Sequence, residues 1–243
     1  MRVVQTLLKG LEVLDYVAEA KASVCNSDIV ERFGIDKANV SRLLQTLCQA
    51  GYLAREGSRG FVLGPKMRID RQRSLERLIG LRERNRFLLE DLVKASGECA
   101  HMAVLVGDKV WYIDKVSSPH PLKVDHPVGS LAPLPCTALG KAYLAFADHA
   151  AEGELTAFTP RTIVSRDTLA EDIAAVRARG FAIDDEEFAT GVRCVAAPLR
   201  DRSATMIAAI GLSGPTARID RTRLTELGEL VRDRCTAVAM CTG

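Results

Sequence analysis

Phe33-Gly34-Ile35-Asp36-Lys37-Ala38-Asn39-Val40-Ser41-Arg42-Leu43-Leu44-Gln45-Thr46-Leu47 is the stretch whose reading decides the fold of the front of the chain. Asp36 is placed to cap a helix, because its carboxylate accepts from the free N–H groups of a first turn and sits at the positive end of the helix dipole. Val40, Leu43, Leu44 and Leu47 recur at i, i+3, i+4 and i+7, which makes one apolar stripe. The opposite face shows Ala38, Arg42, Gln45 and Gln49, flanked by Asn39, Ser41 and Thr46. That face is small, polar and nearly free of acid. Arg, Asn, Gln and Ser pair with base edges, and an alanine methyl packs on a thymine methyl. The segment therefore predicts a DNA recognition helix, with Lys37, Ala38, Asn39, Ser41, Arg42 and Gln45 as its candidate DNA-contacting residues.

Working outward, Asn26–Phe33 reads as a short helix closed by Gly34, a natural residue just past a helix end. Short helix, glycine turn, second helix is the helix-turn-helix arrangement. On the other side Gly51–Arg55 reads as a strand, Glu56–Gly60 as a turn and Phe61–Leu63 as a returning strand. This hairpin is a wing, with Arg55 and Arg59 placed to reach phosphates. A small helical bundle for protein contacts is the plainer reading of the same pattern, and the acid-free face and basic wing weigh against it. Val4, Leu7, Leu8, Leu11, Leu14, Val17 and Ala18 make a helical stripe over Val3–Glu19, whose expected role is packing.

The length of 243 residues suits one large or two medium domains, and 47% hydrophobic content supplies real cores. Aromatics at 5% do not favour stacking on single strands. The net charge of +2 is unevenly spread: residues 1–86 hold 16 basic and 10 acidic side chains, residues 87–243 hold 17 and 21. A basic head on an acidic remainder suits a polyanion-binding module joined to a second one. The seven cysteines form no C-x-x-C, and with four scattered histidines there is no zinc-finger spacing. Reduced thiols imply an intracellular protein. The first residues carry Gln5, Lys9 and Glu12 inside their apolar pattern and make no signal segment, and no apolar run approaches the roughly 20 residues that span a bilayer. Cytoplasm, with no membrane partner, is the expected location.

Lys66–Arg86 is strongly basic and interleaved with Met67, Ile69, Leu75, Leu78, Ile79 and Leu81, which predicts a linker helix broken near Gly80 and a further helix over Leu81–Ala95. From Gly97 the period changes. Glu98–Val106 and Lys109–Val116 read as strands joined by a Gly107-Asp108 hairpin turn, Leu122–Val124 as a short strand, and the proline-marked segment from Pro127 to Pro135 as a loop. Thr137 caps a helix to about Ala147, and a second helix spans Thr168–Arg179. Strands follow at Phe181–Asp184, Val192–Leu199 and Thr205–Ser213, and a helix from Asp220 to about Met240 comes last. Helices mixed with antiparallel hairpins make this part α+β. The expected domains are 1–65, a linker helix over 66–80, and 81–243.

Three features invite chemistry. Gly140-Lys141 resembles the end of a phosphate loop, but Pro135 stands where its first glycine belongs and Ala142 replaces Ser or Thr, so a nucleotide site is rejected. Cys136 has no histidine placed beside it and reads as structural rather than nucleophilic. Cys99 and His101 offer two metal ligands without a local third, so no metal, cofactor or catalytic group is assigned.

Three blocks carry a resemblance. Lys37–Leu44 with Gly51-Tyr52 and Leu63-Gly64 is the first. Val128-Gly129 through Leu134-Pro135 and Thr137–Ala145 is the second. Gly180–Phe188, Gly191–Pro198 and Ser213-Gly214-Pro215 is the third. In this order, and over nearly the whole chain, they resemble the IclR family of bacterial transcription regulators. The resemblance implies a winged helix-turn-helix head and a C-terminal GAF-like α/β domain with an antiparallel sheet that binds a small effector. It further implies operator binding, to double-stranded DNA, as a homodimer or homotetramer. Family pocket positions fall on Ala138, Leu139, Asp184, Val192, Cys194 and Ser213. Two departures stand out: Gly211 replaces a second pocket hydroxyl of some relatives, and Ala38-Asn39 replaces the usual Ser-Thr of the recognition helix. The dipole end of the helix after Thr137 is a ready anion site, and Ser213 is a donor beside it. The expected ligand is a small organic acid, hydroxylated or aromatic, beside which Asp184 is either protonated or accepts from a ligand hydroxyl. The leading expectation is a ligand-responsive repressor and not an enzyme. Its rivals are a DNA-binding oligomer without a ligand and an enzyme with a docking head.

Overall fold

A computed structural model describes residues 4–20, 22–57, 59–147, 149–151 and 153–241, and within them all side chains except those of 68–74 and 239–241. Val3 and the wing-turn residue Ser58 lie outside the described residues, as do the side chains of Arg68, Asp70, Arg71 and Arg73 from the basic linker. The chain divides into two units, 1–79 and 80–243.

The first unit runs α1 (Gln5–Glu19), β1 (Val24–Cys25), α2 (Asn26–Phe33), α3 (Lys37–Gln49), β2 (Leu53–Glu56) and β3 (Gly60–Leu63). Asp36 caps α3 as its sequence requires, its carboxylate accepting from the Asn39 N–H at 2.9 Å. Gly34 closes α2 in the left-handed region at φ 61°, and its N–H donates to the Val30 carbonyl, a conformation that costs a side-chain-bearing residue far more. The wing is the antiparallel pair β2–β3, with Leu53 opposite Leu63 and Arg55 opposite Phe61. A third strand, the two-residue β1, pairs with β3 and makes the order β1-β3-β2. Two residues show no period, so β1 had no signal in the sequence. Val13, Val17, Ile29, Val40, Leu44 and Leu53 close the core of this unit.

The stripe of α1 divides in two. Val13, Leu14 and Val17 are buried, whereas Val4, Leu7, Leu8 and Leu11 are exposed, Leu7 by 62%. The head itself covers only the second half of the stripe.

α4 (Pro65–Ser96) runs as one helix of 32 residues, with no break at Gly80. A lone glycine costs about 1 kcal/mol against alanine in a helix. That is too little to end one whose later turns are fastened by buried Leu88, Leu89 and Leu92. Arg86 adds an ion pair to Asp114 at 2.8 Å.

The second unit continues with β4 (Cys99–Val106), β5 (Lys109–Val116), β6 (Leu131–Pro133), α5 (Ala138–Phe146), α6 (Arg166–Arg179), β7 (Ala182–Asp185), β8 (Val192–Arg200), β9 (Met206–Pro215) and α7 (Arg221–Cys241). Its six strands form one antiparallel sheet in the order β6-β5-β4-β9-β8-β7. The strand expected at Leu122–Val124 is absent. A short strand forms instead at Leu131–Pro133, inside the segment read as loop. Proline is tolerated there because β6 is an edge strand that pairs with β5 alone. Ala103, Tyr112, Ala196 and Ala209 face α5 and α6, and with Leu139, Tyr143, Ile173 and Val176 they make the main core. α5 is buried at every position from Ala138 to Ala145. It lies so close to the preceding loop that a Cβ on Gly140 would fall 2.4 Å from the Leu134 backbone. Arg218 forks onto the buried Glu98, both contacts 2.7 Å, and ties the segment after β9 to the start of β4. No described helix is long and apolar enough to cross a membrane.

Candidate nucleic-acid interface and ligand cavity

In the head, α3 turns its polar face to solvent. Lys37, Ala38, Asn39, Ser41, Arg42 and Gln45 are all exposed, as are Arg55 and Arg59 of the wing. Two grooves flank the helix. One is lined by Lys37 and Ser41 together with Ser27, Arg55 and Arg59. The other gathers Asn39, Arg42 and Thr46 with Gln5, Thr6 and Lys9 of α1. Ala38 and Gln45 line neither and stand on the exposed face. The polar side chains are not loose. Asp36 accepts from the Asn39 amide, and Asn39 in turn accepts from the Arg42 guanidinium. The Asn39 backbone N–H holds the Asp36 carboxyl below the usual carboxylate range. The chain Asp36–Asn39–Arg42 thus fixes rotamers before any duplex arrives, which lowers the ordering cost of binding. The Thr46 hydroxyl is spent on the helix itself, donating to the Arg42 carbonyl at 2.8 Å. Arg55 lies over the Phe61 ring at 5.3 Å, a contact that orients its guanidinium. Lys9 and Ser27 were not singled out in the sequence, since neither belongs to the recognition helix or the wing.

In the second unit a cavity opens at the start of α5. Five of the six pocket positions line it: Ala138, Leu139, Asp184, Cys194 and Ser213. Val192 does not. It lies two residues before Cys194, at the beginning of β8 opposite Pro215, on the same face but one step further along the strand. The lining is completed by Tyr112, His126, Thr137, Phe188, Val195 and Gly211. Thr137 caps α5 by accepting from the Gly140 N–H at 3.1 Å while donating to the Pro133 carbonyl at 2.7 Å. The first-turn N–H groups of Ala138 and Leu139 are left without an intrahelical acceptor and carry the positive end of the dipole. Cys194 and Ser213 sit directly across from each other on β8 and β9. Gly211 is explained by crowding: a Cβ there would lie 2.6 Å from the Val195 carbonyl and 3.2 Å from the Leu139 side chain. The space left among these groups admits about one water molecule.

Asp184 is the buried acid of the cavity, 2% exposed. Its Oδ1 accepts from the N–H of Glu187 at 2.7 Å and of Phe188 at 3.3 Å. Burial raises its pKa to about 7, against the pull of those bonds and of Lys141. It is therefore near half-protonated at neutral pH and able both to donate and to accept. Lys141, 1% exposed, bonds Glu187 at 2.6 Å and Asp172 at 2.7 Å. The lysine of the apparent phosphate loop is an internal ion-pair partner with no phosphate to meet. Cys136 is buried, and burial pushes its thiol up to about 12, which leaves an unreactive neutral group. Cys99 accepts from the Ser118 N–H, and no three His, Cys, Asp or Glu among the described residues are placed to hold a metal ion. Tyr112, His126 and Phe188 escaped the sequence reading because they come from a strand, a loop and a turn far apart in the chain.

With this geometry in place, comparison with known proteins bears on both units. The model of the IclR helix-turn-helix domain matches residues 6–57, and that of the bacterial transcriptional regulator IclR C-terminal domain matches residues 73–240. The transcriptional repressor IclR of Escherichia coli (strain K12) is 32% identical over 99% of this chain and 90% of its own length. The regulator XynR of the same organism is 30% identical over 100% and 99%. The crystal structure of the Thermotoga maritima IclR superposes with a TM-score of 0.63 at 27% identity, covering 98% of each chain. These relatives are regulators of transcription, not enzymes. An exposed, acid-poor recognition helix, a wing, and a six-stranded sheet with a cavity at the start of α5 agree with both domain models, and the chain belongs to the IclR family of DNA-binding bacterial transcription regulators.

Proposed function

We propose that this chain is a ligand-responsive repressor. In this reading Lys37, Ala38, Asn39, Ser41, Arg42 and Gln45 enter the major groove of an operator, and Arg55 and Arg59 hold its backbone. The C-terminal cavity takes a small organic acid. The observation that carries the reading is that three groups line one cavity: the first turn of α5, Ser213, and a buried Asp184 whose pKa burial brings to about 7. An acid's carboxylate suits the N–H groups and Ser213, while its hydroxyl or its own proton suits Asp184. The name of the E. coli relative supports the repressing sign. Effector binding acts by its different affinity for two operator-binding states of the protein.

Self-association completes the reading. Val4, Leu7, Leu8 and Leu11 form an exposed apolar stripe at the start of α1, which suits a homodimer, and dimers of helix-turn-helix heads span two half-sites about 34 Å apart. A regulator without any ligand is the second reading, favoured by the cavity's room for about one water. A thermal-shift screen of small carboxylates, followed by operator gel shifts with each hit, separates the two. A carboxylate that raises Tm and is recovered unchanged while altering operator affinity supports the first. A screen that moves neither supports the second.

A further inference from the structure

The segment 117–130 between β5 and β6 has no strand or helix, and most of its side chains are exposed. His126 is different: it lines the cavity. Its ring stacks on Tyr112, with centroids 5.1 Å apart and planes 26° from parallel. It meets His101 edge-on at 5.4 Å, and Phe188 lies 6.4 Å away. Beside it the loop is tied to the sheet by the Asp125–Lys115 ion pair. The imidazole thus occupies a slot built of three other rings, in a cavity that otherwise admits about one water molecule.

His101 supplies the second observation. It is 1% exposed, and neither ring nitrogen has a hydrogen-bond partner among the described residues. It stands on β4 between Lys115 of β5 and Gly211 of β9. Its ring touches the two cavity-lining rings, Tyr112 and His126. A buried donor left unpaired is costly, and folded proteins keep few of them without a use. An apolar ring would fill the same position without that cost. A neutral imidazole offers one donor and one acceptor, so it suits a polar group that arrives through the slot.

We propose that His126 is a built-in occupant of the effector cavity, whose imidazole fills the subsite of the effector's body, and that ligand entry displaces it and sets a second polar group of the ligand on His101. This rests on the reading of the cavity as a ligand site and deepens it by naming the ligand class. The ligand is a flat acid with two polar ends. Its body replaces the His126 ring against Tyr112, its carboxylate takes the α5 end of the cavity, and a hydroxyl at the other end pairs with His101. Displacing His126 is a cost that a matching ligand must offset, so His126 also selects against acids too small to reach His101.

The test uses the full chain, its His126→Gly variant, and three probes: imidazole, 4-hydroxybenzoate and benzoate. Imidazole at millimolar concentration raises the Tm of His126→Gly and leaves that of the unaltered chain unchanged, because only the variant has a vacant ring slot. By titration calorimetry 4-hydroxybenzoate binds His126→Gly roughly tenfold more tightly than the unaltered chain, the occupant's competition having been removed. Benzoate, lacking the hydroxyl, binds His126→Gly more weakly than 4-hydroxybenzoate does, and His101→Phe in the same background erases that difference. In the unaltered chain, modification of His126 by diethyl pyrocarbonate rises when 4-hydroxybenzoate is present, a readout that needs no variant to fold. The occupant role is overturned if imidazole stabilises both proteins alike, or neither. The ligand class is overturned if imidazole rescues the variant but neither acid binds it. Failure of the wider effector reading looks different: no carboxylate of any shape alters operator affinity, whatever imidazole does.

Discussion

Arg42 and Asp184 show how single side chains are set up for their tasks. Arg42 is held by Asn39, which is held by Asp36, so its guanidinium is presented in one direction. Arg42→Ala is expected to weaken operator binding by about 1–3 kcal/mol, with a loss that depends on the base opposite it. Equal losses on operator and unrelated duplex in gel shifts would remove it from base reading. Asp184 belongs to a different balance. Its folded pKa of about 7 lies above the ordinary 3.8. The folded protein therefore keeps a proton that the unfolded chain has lost, and stability falls as pH rises from about 4 to 7. His101 works the other way. Burial lowers its pKa from 6.5 to about 3, so the unfolded chain binds a proton that the folded one refuses, and stability is lost as pH falls from 6.5 toward 3. The two slopes oppose each other between about pH 4 and 6.5. Asp184→Asn removes one of them, and the variant should gain on the unaltered protein by up to about 1.4 kcal/mol per pH unit across the upper part of that range. Urea unfolding at a series of pH values checks this, and a difference that stays flat with pH would refute it.

At the scale of elements, α5 is the piece on which the cavity depends. Lys141 joins it to Asp172 on α6 and to Glu187 after β7. Lys141→Met leaves two carboxylates facing each other in a buried site, and breaking such a network costs about 3–5 kcal/mol. Adding Glu187→Gln and Asp172→Asn should recover part of that loss, as read by chemical unfolding. If Lys141→Met were as stable as the parent, the network would be decorative. The same element shows where sequence reading reaches and where it stops. The Thr137 cap and the helix after it were legible, because capping and helical period are local. So were α3, the Gly34 turn and the wing. Of the six pocket positions that came from matching motifs, five line one cavity, whereas Tyr112, His126 and Phe188 were invisible, since only the folded sheet brings them together. The α1 stripe was read correctly as helical, but the sequence did not show that the head buries only Val13, Leu14 and Val17 of it. An apolar period says that a face will be covered without saying by what.

For the whole molecule, two expectations concern how it meets its partners. Leu7→Lys with Leu11→Lys places charge on the exposed stripe and is expected to shift sedimentation toward the monomer and weaken operator binding, while leaving the far-UV spectrum of the head unchanged. A double variant that sediments as the parent does would free α1 from any role in assembly. The wing arginines act through the polyanion. Arg55→Ala and Arg59→Ala should each lower affinity for every duplex alike and reduce the slope of log K against log salt by about 1. An unchanged slope would place them off the backbone.

α5 has no solvent face from Ala138 to Ala145, and its backbone touches Leu134 through Gly140. A helix so enclosed has almost no substitutions that it can accept one at a time. The loop carrying His126 is open to water on most of its length and can change freely. In a laboratory selection for response to a new inducer, adaptive changes should therefore accumulate in 117–130 and at the strand ends, with α5 passing through the generations untouched. A wall that cannot drift beside a door that can is how one scaffold could acquire many appetites.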